Sequence, residues 1–323
     1  MKIGLVDVDS HNFPNLPLMK ISAYHKKRGD DVEFAFLLEH YDKIYISKIF
    51  GEEYSEPDFT CWQADEIIYG GTGYEITVED GREVYRKKEG GDLPEEIEHI
   101  YPDYELYPEL TKDTAYGFLT RGCPNNCPSC IVSKKEGFVT RKVADIGEFW
   151  NGQKRIKLLD ANLLACRKKK ELLQQLIDTG ASVDFTQGLD ARFINEEIAS
   201  MLGRIKIERV HFAFDFMKFE KKIVEGLRIF QEVNKLPDNK AIVYMLTNFD
   251  TTIEEDLYRL EKIRSLGYIP DVRIYRKNTA PKVLKDLQRW CNNRIIFRSC
   301  EFMDYVPRPD KEGKTIKQLY FGG

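Results

Sequence analysis

Cys123, Cys127 and Cys130 are the residues whose types and spacing point most directly to a chemistry. They stand in the run Phe118-Leu119-Thr120-Arg121-Gly122-Cys123-Pro124-Asn125-Asn126-Cys127-Pro128-Ser129-Cys130, where a short apolar stretch enters a glycine turn and the three thiols follow. Three soft thiolate ligands can hold three irons of a 4Fe-4S cube and leave the fourth iron open to another molecule. Two other readings use the same residues. The spacing also falls on one face of a helix, so the cysteines could form a buried stripe; Pro128 opposes this, because inside a helix it removes a hydrogen bond and clashes one turn back. A zinc knuckle needs a fourth ligand, and no second Cys or His cluster follows at zinc-finger spacing. The remaining cysteines, Cys61, Cys166, Cys291 and Cys300, are scattered. Clustered thiols in a non-secreted chain point to metal or catalysis, and iron–sulfur is the preferred reading.

The elements that must position this loop are read from hydrophobic periodicity. In the N-terminal part, strands are expected at Lys2 to Val6, Asp31 to Ala35, Lys43 to Ile46 and Glu66 to Tyr69, with a helix from Leu16 to Lys27 ending at Gly29. Residues 75–112 are acidic and poorly periodic, and read as a connector with a small hairpin, Ile76 to Val78 and Glu83 to Tyr85, around Asp80-Gly81. From Tyr116 onward, strands are expected at Gly117 to Thr120, Arg155 to Leu159, Ser182 to Thr186, Arg209 to Phe214, Ile242 to Leu246 and Val272 to Tyr275. Helices are expected at Ala144 to Trp150, Lys168 to Asp178, Asn195 to Gly203, Phe219 to Val233, Thr252 to Leu266 and Pro281 to Trp290, with a capping box at Thr252 to Glu255. Strands alternating with helices predict an α/β chain with parallel sheets. The expectation is a Rossmann-like domain over residues 1–112 and a partial (β/α)6 barrel of the TIM type over residues 113–323, closed by the C-terminal extension.

Functional groups of such folds gather at the carboxyl ends of the strands. The apolar runs here end in Asp160 and Asn162, then Gln187 with Asp190 and Arg192, then Asp215, then Asn248 with Asp250, then Arg276. Each could equally cap the helix that follows.

The Cys-x3-Cys-x2-Cys spacing resembles the signature of the radical S-adenosylmethionine (radical SAM) enzymes. In that family the open iron chelates the methionine part of SAM, and an electron from the cluster cleaves SAM to a 5′-deoxyadenosyl radical. The resemblance runs over nearly the whole chain and is most specific in residues 118–137; it implies the same six-unit architecture. Ser129 stands where many members carry an aromatic residue, which weakens a stacking contact to adenine and leaves the ligand set intact. The family places a Gly-Gly-Glu-type segment after the second strand. Leu159-Asp160-Ala161-Asn162 lacks those glycines and resembles the Asp-rich variant of cobalamin-linked members, which implies a contact from Asp160, with Asn162 beside it, to the SAM ammonium. Arg192 is then the expected partner of the SAM carboxylate, a geometry suited to a guanidinium fork. Gln187 and Asp215 are candidates for ribose hydroxyls or substrate, and Asn248 for adenine. An electron donor such as flavodoxin or ferredoxin is implied as partner.

After the first strand, Asp9-Ser10-His11-Asn12-Phe13-Pro14 resembles the Asp-x-His-x-x-Gly loop with which cobalamin-binding domains offer a His to cobalt, with Pro14 in place of glycine. Gly70-Gly71 resembles the place where such domains pass the nucleotide tail. The expectation is a cobalamin-domain-like fold that has lost the cofactor and shapes the substrate entrance, with Asp9 and His11 as substrate-site candidates. Bound cobalamin, and with it a cobalamin-dependent radical SAM methyltransferase, is the alternative.

At 323 residues the chain is long enough for two domains, and 42% hydrophobic content with 12% aromatics is that of a globular protein. A net charge of −4 gives no strong electrostatic attraction to nucleic acid or membrane. No apolar stretch approaches the ~20 residues of a membrane span. The start is too soon acidic for a secretory signal, and the cytosol is the expected compartment. No second cysteine cluster suggests an auxiliary centre, and Cys291 and Cys300 read as packing residues. A non-catalytic reading remains, with the cysteines as a structural zinc or iron–sulfur knuckle and Lys134-Lys135 or Arg167 to Lys170 as basic contacts. The substrate is not specified by these residues.

Overall fold

A helical crossover lets consecutive strands run parallel, because it returns the chain to the same end of the sheet. The computed structural model describes residues 1–52, 54–55, 61–79, 82–88, 92–308 and 312–322. It is a mixed α/β chain with two parallel sheets. The first sheet contains β1 (Lys2–Asp7), β2 (Asp31–Phe34), β3 (His40–Ser47) and β4 (Gln63–Gly70), in the order β2-β1-β3-β4. A helix, Leu16–Lys27, crosses from β1 to β2. Asn15 caps it by accepting from the Leu18 N–H, and proline occupies its first turn, where no N–H partner is needed. Its apolar face packs Leu18 and Ile21 on Ile3 and Leu5 of β1.

The stretch expected to be a loose connector is more ordered than its composition implied. Ile97, from a short helix at Glu95–Glu98, enters the same core cluster, with Leu93 and Leu106 packed beside it. Ser22 donates to Asp103 at 2.6 Å, and Tyr107 Oη donates to Asp7 at 2.6 Å. Apolar residues arriving one per short turn leave no helical or strand period, so tertiary packing orders a segment that periodicity could not. The hairpin forms as expected from β5 (Ile76–Glu79) and β6 (Arg82–Tyr85), while its Asp80-Gly81 turn lies outside the described residues.

The second sheet has six parallel strands: β7 (Thr114–Gly117), β10 (Arg155–Leu158), β11 (Ser182–Phe185), β12 (Lys206–Ala213), β13 (Ala241–Thr247) and β14 (Ile269–Ile274), in the order β14-β13-β12-β11-β10-β7. A separate two-residue ribbon pairs β8 (Thr120–Arg121) with β9 (Arg141–Lys142) antiparallel. By compactness the chain divides into residues 1–161 with 166–181, and residues 162–165 with 182–323.

The first strand of the six differs from expectation. It ends at Gly117 rather than starting there, and the Phe149 ring lies where a side chain would be: a Cβ on Gly117 would sit 2.3 Å from that ring. The glycine lets Phe149 pack against the strand's last residue. The expected helix at Ala144 to Trp150 is a single 3₁₀ turn, Ile146–Glu148, closed by an Asp145–Glu148 capping box. The remaining long helices, Lys169–Thr179, Glu196–Gly203, Glu220–Asn234, Ile253–Ser265 and Lys282–Asn292, fall within about two residues of their predicted spans. Thr252 and Glu255 form the anticipated reciprocal cap. Cys291 is buried against Pro270, as a packing residue should be. Among the described residues, no helix is long and apolar enough to cross a membrane.

Arg259 organises the second unit. It is fully buried on the helix Ile253–Ser265 and donates to the carbonyls of Phe214 (2.6 Å), Asp215 (2.9 Å) and Leu246 (2.8 Å) and to the Asp256 carboxylate (2.5 Å). One guanidinium thereby ties the ends of β12 and β13 together. Arg259→Met leaves Asp256 buried without its cation and three carbonyls without donors, and should lower the unfolding free energy by about 3–5 kcal/mol in urea titration. A loss under about 1 kcal/mol, the scale of a surface substitution, would contradict this role.

Candidate functional site

The cysteine loop leaves β8 and returns through β9, so a short antiparallel ribbon closes its base. Gly122 begins it at φ +93°, and a Cβ there would lie 2.3 Å from the Val139 carbonyl oxygen, a position only glycine tolerates. Glu136, from a short helix at Val132–Glu136, reaches back over the same turn. One of its oxygens accepts the Gly122 N–H at 2.9 Å and the other pairs with Arg121 at 2.7 Å. The Ser133 hydroxyl donates to the Cys123 carbonyl at 2.7 Å and accepts the Asn126 N–H at 3.2 Å. The Cys123 N–H donates to the Gly137 carbonyl at 3.0 Å and the Cys130 N–H to the Cys127 carbonyl at 3.0 Å.

Residues 123–130 run as turns rather than a helix, and Cys130 is exposed while Cys123 and Cys127 are half-buried. The buried-stripe reading is thereby set aside. The Val132 N–H points at Cys130 Sγ, 3.5 Å away, the kind of amide-to-sulfur bond that stabilises a thiolate and tunes a cluster. The structure brings the three thiols onto one anchored loop. Among the described residues, it does not gather three or more His, Cys, Asp or Glu side chains into a ready-made ligand set. By donor chemistry, the loop fits a group bound through three sulfurs.

Asp160, two residues past β10, is 4% exposed and accepts from the Leu119 N–H (3.1 Å), the Thr120 N–H (2.5 Å) and the Thr120 hydroxyl (2.6 Å). Both carboxylate oxygens are therefore engaged on the backbone that enters the cysteine loop. Burial raises the Asp160 pKa from an ordinary 3.8 to about 6, against the opposing pull of the Thr120 and Leu119 donors. The group expected to meet the SAM ammonium is, in this structure, the anchor of the loop.

The other strand-end residues follow a related pattern. In the second unit, Asn162 Nδ2 donates to Asp190 at 3.2 Å. Asp190 caps the next 3₁₀ turn through the Arg192 N–H at 3.1 Å and takes the Arg192 guanidinium in a fork at 2.8 and 2.7 Å, while that guanidinium lies 4.4 Å from the Phe219 ring centre. Asp215 accepts the Leu246 N–H at 2.8 Å, and burial raises its pKa. Asn248, at φ +62°, donates to the Tyr275 carbonyl at 2.7 Å. Gln187 is exposed. In the first unit, Asp9 is 4% exposed and accepts the Ile49 and Phe50 N–H groups at 2.7 and 3.0 Å. His11 is exposed, sits at φ +50° and stacks on Phe50 with ring centres 6.1 Å apart.

One arrangement was not anticipated. On adjacent strands of the second unit, His211 stacks on Tyr244 with rings 5.0 Å apart and nearly parallel, and the Arg273 guanidinium lies 4.9 Å from the Tyr244 ring centre. His211 Nδ1 is 3.1 Å from the Phe185 carbonyl, and burial holds the imidazole below its ordinary pKa. The alternation Arg209, His211, Ala213 against Val210 and Phe212 marks this polar face of β12. A reading confined to strand ends passes over it.

No protein-family model matches the chain, and no curated protein matches it.

The Asp160 geometry makes a pH prediction. Its folded pKa lies above its unfolded one, so its stabilising contribution is complete below about pH 4 and is lost as pH rises through about 6, a swing of about 3 kcal/mol. Asp160→Asn should flatten that part of the stability profile while speeding hydrogen exchange at the Leu119 and Thr120 amides, because an Asn amide presents a donor to a donor. Superimposable pH profiles for the two proteins would contradict the assignment.

Proposed function

We propose that this chain is a radical SAM enzyme whose Cys123, Cys127 and Cys130 hold a 4Fe-4S cluster. The observation that carries the reading is the triad of thiols on one loop whose backbone is fixed at both ends, by Asp160 at its entry and by Glu136 and the β8–β9 ribbon at its base. When bound, such a cluster supplies one electron to SAM held at the iron that has no protein ligand, and an external donor of the flavodoxin or ferredoxin type would replenish it.

The chain's own residues do the positioning. Asp160 fixes the Leu119-Thr120 backbone, so the loop starts from one place. Glu136 holds Gly122 and Arg121, and Ser133 holds Cys123 and Asn126, so the first two thiols are set by bonds to neighbouring backbone. The Val132 N–H points at Cys130 Sγ and helps set the third thiol. Each is an interaction formed before any ligand arrives, which is how a site avoids reorganisation on loading.

Cobalamin is not part of the proposal. Of the Gly70-Gly71 pair, where a nucleotide tail would have to pass, the face of Gly71 is taken up by Lys48, since a Cβ there would lie 2.3 Å from the Lys48 carbonyl oxygen, while the face of Gly70 is open.

After anaerobic reconstitution, the protein should carry about four irons and four sulfides and form 5′-deoxyadenosine from SAM with dithionite. Alanine at any one of the three cysteines should abolish that product and leave the far-ultraviolet circular dichroism unchanged. Zinc in place of iron, or full SAM cleavage by Cys127→Ala, would sink the proposal and favour a structural knuckle.

A further inference from the structure

Two lysines of the first unit converge on one turn, and neither has a carboxylate as ion-pair partner among the described residues. Lys48 follows β3 and is 6% exposed. Its backbone is locked to the turn after β4: the Lys48 N–H donates to the Gly70 carbonyl at 3.0 Å and the Gly73 N–H to the Lys48 carbonyl at 2.9 Å. Its stem runs through the slot that the missing Gly73 side chain leaves open. The ammonium ends 5.7 Å from the Tyr74 ring centre, and among the described residues it has no hydrogen-bond or ion-pair partner.

Lys135 comes to the same turn from the cysteine loop and donates to Thr72 Oγ1. An ammonium has three hydrogens to donate, so capacity remains. Burial lowers the Lys135 pKa, and Arg121 adds to that effect. The carboxylates that act on Lys135 are engaged elsewhere. Glu136 holds Arg121 and the Gly122 N–H, Glu75 holds the Tyr85 hydroxyl and the Lys88 N–H, and Asp92 pairs with Lys87. Among the described residues, two cations are thus brought to one glycine-rich turn and neither is paired with a carboxylate. Removing ammonium groups from water without a counter-charge is unfavourable, and an anion in the site would relieve it.

We propose that Lys48, Lys135 and the Thr72 hydroxyl bind a phosphate dianion, either free phosphate or the phosphomonoester of a larger ligand. Two ammonium charges balance a dianion, whereas a carboxylate would balance only one. Lysine binds phosphate as a point charge and needs no planar fork. The hydroxyl that Lys135 already contacts supplies a further donor. The site requires neither iron nor SAM, so it stands or falls independently of the radical SAM reading.

Calorimetric titration of the full chain with inorganic phosphate in low-chloride buffer tests the proposal. Saturable one-to-one binding is expected, weakened at least tenfold by Lys48→Met and by Lys135→Met and less by Thr72→Val. Melting curves without phosphate establish that the variants fold. If a lysine variant does not fold, the Lys135 side-chain nitrogen resonance of the unmodified protein replaces it, and should shift with phosphate along the same binding curve. Phenyl phosphate separates the sources: equal or tighter binding assigns the site to a phosphomonoester, and exclusion of phenyl phosphate assigns it to the free ion. Absence of saturable binding, undiminished binding by folded lysine variants, or a Lys135 resonance that phosphate leaves in place would overturn it.

Discussion

The Asp160 carboxylate is almost wholly removed from water, and three donors from Leu119 and Thr120 surround the charge that burial disfavours. The bond set works in both directions. The donors stabilise the carboxylate, and the carboxylate fixes the two residues that lead from β7 into the cysteine loop. Everything downstream, from the Gly122 turn to the Ser133 and Glu136 contacts, is built on a backbone whose starting point is set by this one buried group. Where a parallel strand ends, its last N–H groups lose their ladder partners, and a side-chain acceptor from the neighbouring strand is the nearest replacement. Asp9 does the same for Ile49 and Phe50, and Asp215 for Leu246. Asn248 works in the opposite sense, donating to the Tyr275 carbonyl.

This explains what was legible in the sequence and what was not. The cysteine spacing and the amphipathic helices are local signals, and the helices from Lys169 onward lie where their period places them. The polar residues at the strand ends were legible as a set, because apolar runs stop there. Their individual partners were not, because Asp160 and Leu119 stand 41 residues apart and nothing local connects them. Choosing between a ligand contact and a helix cap omitted a third possibility, the lateral bond to the adjacent strand, which Asp160, Asp215 and Asn248 adopt. Asp190 is the one that caps. The His211–Tyr244–Arg273 stack was hidden because its members lie on three strands and only the fold makes them neighbours.

The same loop that carries the thiols also carries Lys135 to Thr72, at the end of the first sheet. The turn at Gly70 to Gly73 and the cysteine loop therefore share a contact, and two backbone bonds join that turn to Lys48. A ligand at either place would meet groups already held in position, with little ordering entropy left to lose.

The central claim is that Cys123, Cys127 and Cys130 hold a cluster with one iron open to SAM. Electron paramagnetic resonance of the reconstituted, dithionite-reduced protein, recorded without and with saturating SAM, tests it most directly. A reduced-cluster signal whose shape changes when SAM is added is the predicted result. A signal that saturating SAM leaves unaltered would contradict the account, and so would a protein that takes up only zinc and gives no signal.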